Sequence, residues 1–171
     1  MMDITIKKTW HYEIQLGSKN DRGLLLTLKD KKHTNFIGNG INIIYIYQLV
    51  DSDIHYPNGK GKIIYIGEAC KFKNPTGLRF SQHISSNANS GKNRNGNYTL
   101  NKYYWSGEKI AIDILDIGDV ESEERKKIEK MFIDCHIKIY GSTPIAQGSS
   151  GKLITYINNL DTSDIIEFFD N

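Results

Sequence analysis

Residues 43–50 read Ile-Ile-Tyr-Ile-Tyr-Gln-Leu-Val, and residues 62–69 read Lys-Ile-Ile-Tyr-Ile-Gly-Glu-Ala. Both runs are short, β-branched and aromatic, which is the composition of buried strands. Between them, residues 51–61 hold Asp51, Ser52, Pro57 and the turn dipeptide Asn58-Gly59, so that segment reads as a loop. The two runs are predicted to pair as a long-looped hairpin. Working outward, Ile110, Ile112 and Ile114 alternate within residues 109–117 and predict a third strand. Upstream, Trp10, Tyr12, Ile14 and Leu16 alternate with His11, Glu13 and Gln15, and Leu24, Leu26 and Leu28 repeat that period. They predict two antiparallel strands in an N-terminal arm, with a helix from Leu24 to Lys31 as the rival reading.

Helices fill the gaps. Pro75-Thr76 opens one, with Thr76 as its N-cap. On it Phe80 and Ile84 share a face, and Arg79 and His83 share a neighbouring one, because residues four apart project together. The Asn-, Ser- and Gly-rich stretch 85–101 reads as a polar loop. Residues 119–140 form the clearest helix: Glu121, Glu123 and Glu124 suit its dipole, and Ile128, Met131, Phe132, Cys135 and Ile139 make a core stripe. Gly141 and Pro144 end it. A tail from Gly151 adds further helix. The fold class expected is α+β: a small antiparallel sheet of about three core strands flanked by helices. The arm covers 1–40, the core 41–148 and the helical tail 149–171, as one compact domain.

The 171 residues are 39% hydrophobic and 25% charged, ordinary globular composition that argues against disorder. No apolar run reaches the length of a membrane span. The first eight residues have no apolar core, so a secretory signal is not expected, and a reduced cytoplasmic setting is. Cys70 and Cys135 lack the spacing of a zinc site and read as small buried residues. The net charge of +2 conceals polarity. Residues 60–102 hold eight basic residues (Lys60, Lys62, Lys71, Lys73, Arg79, Lys92, Arg94 and Lys102) against one acid, Glu68. That segment carries +7 and the remainder −5, and such clustering is the electrostatic footprint of phosphate binding.

Hydrolysing a phosphodiester needs a base for water, a cation near the non-bridging oxygens and help for the leaving oxygen, often a metal. Candidates for all three lie in order along the chain: Tyr47 and Tyr65 on adjacent strands, Arg79 and His83 on the following helix, and Glu129 on the second helix, flanking its core stripe. Tyr65-Ile66-Gly67, the preceding Tyr45-Ile46-Tyr47, Arg79-Phe-Ser-Gln-His83, Glu129 and Pro144-Ile-Ala-Gln147 together resemble the GIY-YIG nuclease family. The resemblance spans about residues 43–147. It departs from the family pattern where Tyr45 stands for the first motif's glycine, which leaves Tyr45 as a rival to Tyr47, and where Gln147 stands for asparagine.

The resemblance implies a metal-dependent DNA endonuclease, with Mg²⁺ (or Mn²⁺) held mainly by Glu129 and water. It implies Tyr47 as general base, its phenol drawn toward phenolate by Lys71, Lys73 and His83. It further implies Arg79 as clamp on the scissile phosphate, Tyr65 as a hydrogen-bond partner of phosphate or water, and Gln147 as a brace. Without room for a long linker and a separate DNA-binding module, a stand-alone restriction-type enzyme is expected. Its recognition would come from the arm and the loops 51–61 and 87–101, and Lys71, Lys73, Lys92, Arg94 and Lys102 would be its contacts to double-stranded DNA. Tyr98, Tyr103 and Tyr104 add aromatic groups beside them. One site cutting both strands of a symmetric duplex is most simply a homodimer. The alternatives are a structure-specific repair or recombination nuclease, and a silent nucleic-acid-binding module of the same fold.

Overall fold

A computed structural model describes residues 6–17, 21–84 and 97–148. The run Ile43–Leu49 forms strand β2, central in a four-stranded antiparallel sheet of order β1-β6-β2-β5, where β1 is Lys8–Ile14, β5 is Ile63–Ala69 and β6 is Ile110–Asp116. Being central, β2 is buried on both faces, which is why its apolar run is nearly continuous instead of alternating. The predicted pairing of residues 43–50 with 62–69 is present: Tyr45 faces Gly67 and Tyr47 faces Tyr65, with an irregularity just after Tyr47. The expected three core strands become four because β1 pairs with β6 along its whole length, Lys8 opposite Asp116 through Ile14 opposite Ile110.

Alternation along β2 sorts the core. Tyr45, Tyr47 and Leu49 pack to one face with helices α1 (Asp21–Thr27), α2 (Leu78–His83) and α3 (Tyr98–Trp105), whereas Ile44 and Ile46 pack to the other with α4 (Ser122–Tyr140). Burying each large apolar side chain contributes roughly 1.5–3 kcal/mol over leaving it exposed.

The structure corrects several expectations. The second arm strand is the helix α1: Leu25 and Leu28 are buried while Leu26 is 47% exposed, so three-residue spacing and not alternation sets the inward face. Part of the predicted loop 51–61 is a hairpin, β3 (Ile54–Tyr56) with β4 (Gly59–Gly61), Tyr56 opposite Gly59. Thr76 does not cap α2. Its hydroxyl accepts from Lys71 N and donates to Ile41 O, so it ties two loops together, and the helix starts after Gly77. The polar stretch 85–101 ends in α3, whose N-cap Asn97 accepts from Leu100 N. On α4 the buried set is Arg125, Ile128, Phe132, Ile133, Cys135 and His136, so Met131 and Ile139 lie at its margin. A reciprocal Glu121–Glu124 capping box and the left-handed Gly141 bound this helix. The expected tail helices, Lys92 and Arg94 lie outside the described residues. Among the described residues, no helix is long and apolar enough to cross a membrane.

The free edge of β5 is covered by the chain after α4. Ala146 N donates to Ile64 O at 2.9 Å, and the Gln147 side chain accepts from Ile66 N at 3.2 Å. This pins Gln147 beside the second tyrosine motif and blunts an exposed strand edge.

Candidate active site

Strand period places Tyr45 and Tyr47 on one face of β2, and register brings Tyr65 beside them. Helix α2 crosses this face and supplies Phe80, Arg79 and His83. Phe80 is fully buried and packs edge-on to Tyr45 with ring centroids 5.3 Å apart. Arg79 Nε donates to the Tyr45 hydroxyl at 3.4 Å, and Arg79 is hydrogen-bonded to Tyr65 as well. Tyr45 and Tyr65 are joined by a hydrogen bond of their own. The Tyr47 hydroxyl lies 3.3 Å from His83 Nδ1. The structure therefore brings Tyr47, Tyr65, Arg79 and His83 together in one cluster, and adds Tyr45 at its centre.

Gly67 makes that arrangement possible. A Cβ there would lie 2.5 Å from the Tyr45 hydroxyl and 2.6 Å from the ring. The tyrosine that replaces the first motif's glycine thus rests on the glycine of the second. Gly67→Ala should cost roughly 1–3 kcal/mol of stability, as overpacked cores do. Urea unfolding checks this, and Tyr45→Ala should suppress the loss in the double variant; a neutral Gly67→Ala would mean that the ring does not lie there.

Layering matters for chemistry. Tyr45 and Tyr47 are wholly inaccessible and His83 is 1% exposed, while Tyr65, Arg79 and Glu129 keep solvent-facing surface. Burial is the largest influence on all three phenols and raises each above its ordinary value. The expectation that nearby cations draw Tyr47 toward phenolate is therefore overturned: Arg79 pulls its phenol down, but desolvation of the anion outweighs that pull. His83 is held well below its usual range by burial, with Arg79 and Lys71 acting in the same direction, so it is neutral and is no cation for Tyr47. Lys71 is likewise lowered by burial and by Arg79.

Glu129 approaches from α4. It flanks the core stripe amid Arg125, Lys126, Lys127 and Lys130, where a salt-bridged surface acid would be ordinary. Three of these four are engaged elsewhere: Arg125 with Glu68, Lys126 with Glu123, and Lys130 with Asp134. Glu129 has no ion pair among the described residues. It accepts from the Glu68 backbone N–H, and its pKa is pushed up to about 7 by burial first and by the Glu68 charge second, against the pull of Arg79 and Arg125. Its charge also raises the Tyr65 phenol, so α4 reaches the tyrosine cluster electrostatically around the β5 edge.

Glu68 and Arg125 were not singled out as a supporting pair. Arg125 is buried, joins Glu68 through Nε and donates through Nη1 to Asn42 Oδ1 at 2.6 Å. The linear order places Arg125 four residues before Glu129 on one helix and Glu68 directly after the motif glycine, but that Arg125 meets Glu68 emerges only in the fold.

Other predicted residues lie apart. Lys73 is exposed on the loop between β5 and α2, two residues from Lys71, whose Nζ donates to Gln82 at 3.2 Å. Lys102 is exposed on α3. The basic segment is not one surface. Lys60 and Lys62 line a cavity of about 610 Å³ on the α4 side of the sheet, together with the acids Glu13, Asp53 and Asp113.

One carboxylate, Glu129, is placed to hold a metal, since Glu68 is tied to Arg125; no group of three or more His, Cys, Asp or Glu able to hold one occurs among the described residues. A half-buried carboxylate without a cation partner, in a site poor in nitrogen and sulfur donors, fits Mg²⁺, which keeps most of its waters and needs few protein ligands. It does not fit a metal that calls for nitrogen or sulfur ligands, such as Zn²⁺ or Cu²⁺. No family model, curated protein or solved structure matches this chain.

Proposed function

We propose that this chain is a metal-dependent DNA endonuclease of the GIY-YIG kind, acting as a restriction-type enzyme. The observation that carries the reading is Glu129: a half-buried acid without an ion pair among the described residues, coupled to Arg79 and Tyr65, while Arg125, Lys126 and Lys130 on α4 serve other acids. A surface salt-bridge role leaves that unexplained, and a mere binder of nucleic acid has no use for a carboxylate facing a phosphate.

Each residue then has a task. Arg79 is permanently charged and presents a planar fork; with donors engaged by Tyr45 and Tyr65 its orientation is fixed before substrate arrives. It clamps the scissile phosphate. Tyr65, protonated and partly exposed, donates to phosphate or orients water. Glu129 would hold Mg²⁺, which supplies charge neutralisation at the developing phosphorane and the leaving oxygen. Tyr47, buried in the structure as it stands, serves as base only in partnership with His83 and once substrate binding admits water to the cluster: its phenol takes a proton from that water as it passes its own to the neutral imidazole Nδ1, 3.3 Å away. Gln147 braces β5 behind Tyr65. Cleaving both strands with one site per chain calls for two copies.

Converting closed circular plasmid to nicked and linear forms in Mg²⁺, with no conversion in EDTA, tests the reading; intact plasmid under both conditions, with DNA bound, would leave a silent binder. DNA contacts are assigned first to Lys71 and Lys73, which share the loop next to Arg79. Replacing both with Ala should lower the slope of log affinity against log salt by up to about two. An unchanged slope in that titration would move the DNA to another surface.

A further inference from the structure

Phe72 stands between Lys71 and Lys73 and is 79% exposed, far above any other large hydrophobic residue of the described chain; Ile6 and Tyr98 follow at 50%. Its backbone is nevertheless fixed on both sides. Gly40 N donates to Lys71 O at 2.8 Å, Asn39 Nδ2 donates to Phe72 O at 2.8 Å, Lys71 N donates to the Thr76 hydroxyl at 3.2 Å, and Thr76 N donates to Gly38 O at 3.0 Å. A benzyl group on a pinned loop has two side-chain torsions left to order when it binds something, a low entropic cost for an aromatic contact. The ring edge stands beside Gly40, where a Cβ would lie 3.6 Å from Phe72 Cε1.

What would cover the ring is set by its surroundings. The loop carries Lys71 and Lys73 on either side of Phe72, and Arg79 is near enough to Lys71 to lower its pKa. The acid on the preceding strand, Glu68, is already paired with Arg125. An aromatic face flanked by unneutralised cations suits a polyanion with stacked rings: the cations take phosphates and the ring takes bases. An acidic protein would meet the lysines, but it offers no reason for a lone projecting ring.

We propose that Phe72 is a wedge that enters a base step of the bound duplex next to the phosphate held by Arg79. Apolar side chains inserted in this way unstack and kink DNA, which brings more backbone within reach of a small protein. The inference rests on the DNA-binding part of the proposed function, and its test separates the two.

Closed circular plasmid is relaxed by a metal-independent type I topoisomerase in EDTA, with and without the full chain at saturating concentration, then stripped of protein. The wild-type chain should shift the linking-number distribution toward unwinding. Phe72→Ala should bind with roughly tenfold lower affinity and, when saturating, give no shift. Phe72→Trp should keep the shift, and it decides the case where Phe72→Ala loses binding outright. Because the side chain is exposed, both variants should melt within about 2 °C of wild type. A wild-type chain that binds without unwinding, an equal shift from Phe72→Ala, or a bound Phe72→Trp without a shift would overturn the wedge and leave the nuclease reading standing. So would a Phe72→Ala effect confined to oligomeric state in light scattering. A wild-type chain that binds no duplex would overturn both.

Discussion

Glu129→Gln should abolish plasmid cleavage in Mg²⁺ while leaving duplex binding in Ca²⁺ within a few-fold of wild type. Loss of the single metal carboxylate should cost several kcal/mol at the transition state, a thousandfold or more in rate. The same change should stabilise the fold. Because the pKa is raised from 4.5 to about 7, ionising this carboxyl opposes folding at alkaline pH. Its neutral form favours the folded state fully below the unfolded value, and that contribution fades as pH rises through the folded one. Glutamine never ionises, so at pH 8 the variant should be more stable by about 2 kcal/mol after discounting for partial exposure, and the difference should shrink by pH 5. Activity and stability moving in opposite directions is the signature of a functional carboxylate held against its own solvation. A variant keeping more than about a tenth of the wild-type rate would remove Glu129 from the metal.

The proton pathway gives the second large effect. Tyr47→Phe keeps the ring packing and removes the oxygen, so folding should be spared and the rate should fall about a hundredfold or more. His83→Ala should cost a similar factor, and the double variant no more than the worse single one, because the two groups act as one unit. Tyr45→Phe, which loses a contact to Arg79 but no proton acceptor, should cost far less. Single-turnover rates measured across pH check this set. The reverse pattern, with Tyr45→Phe the damaging change, would move the first motif by two residues, and small effects from both would remove tyrosine from the mechanism.

The sequence was legible where local chemistry and tertiary packing agree. Strands β2 and β5 are rich in Ile and Tyr, and the hairpin pairing expected of them is present, with Tyr47 opposite Tyr65. Spacing of four put Arg79 and His83 on one side of α2, and both reach the tyrosines. Legibility failed where one pattern serves two structures. Leu24, Leu26 and Leu28 alternate like a strand, yet Leu25, ignored by that reading, is buried with Leu28 while Leu26 is exposed. It also failed where burial decides. Proximity of cations argued for an acidic Tyr47, but nothing in the linear order says that Tyr45, Tyr65 and Phe80 enclose it and that desolvation then dominates. The pairing of Arg125 with Glu68, which leaves Glu129 without a cation, joins residues 57 positions apart and required the fold.

Digestion of one long linear DNA of known sequence, with Mg²⁺ and the full chain, followed by mapping of every new end, tests the central claim most directly. The account predicts discrete fragments whose ends share one short sequence, none in EDTA and none from the Glu129→Gln variant. DNA that is bound by the wild-type chain yet left uncut in both Mg²⁺ and Mn²⁺ would contradict it.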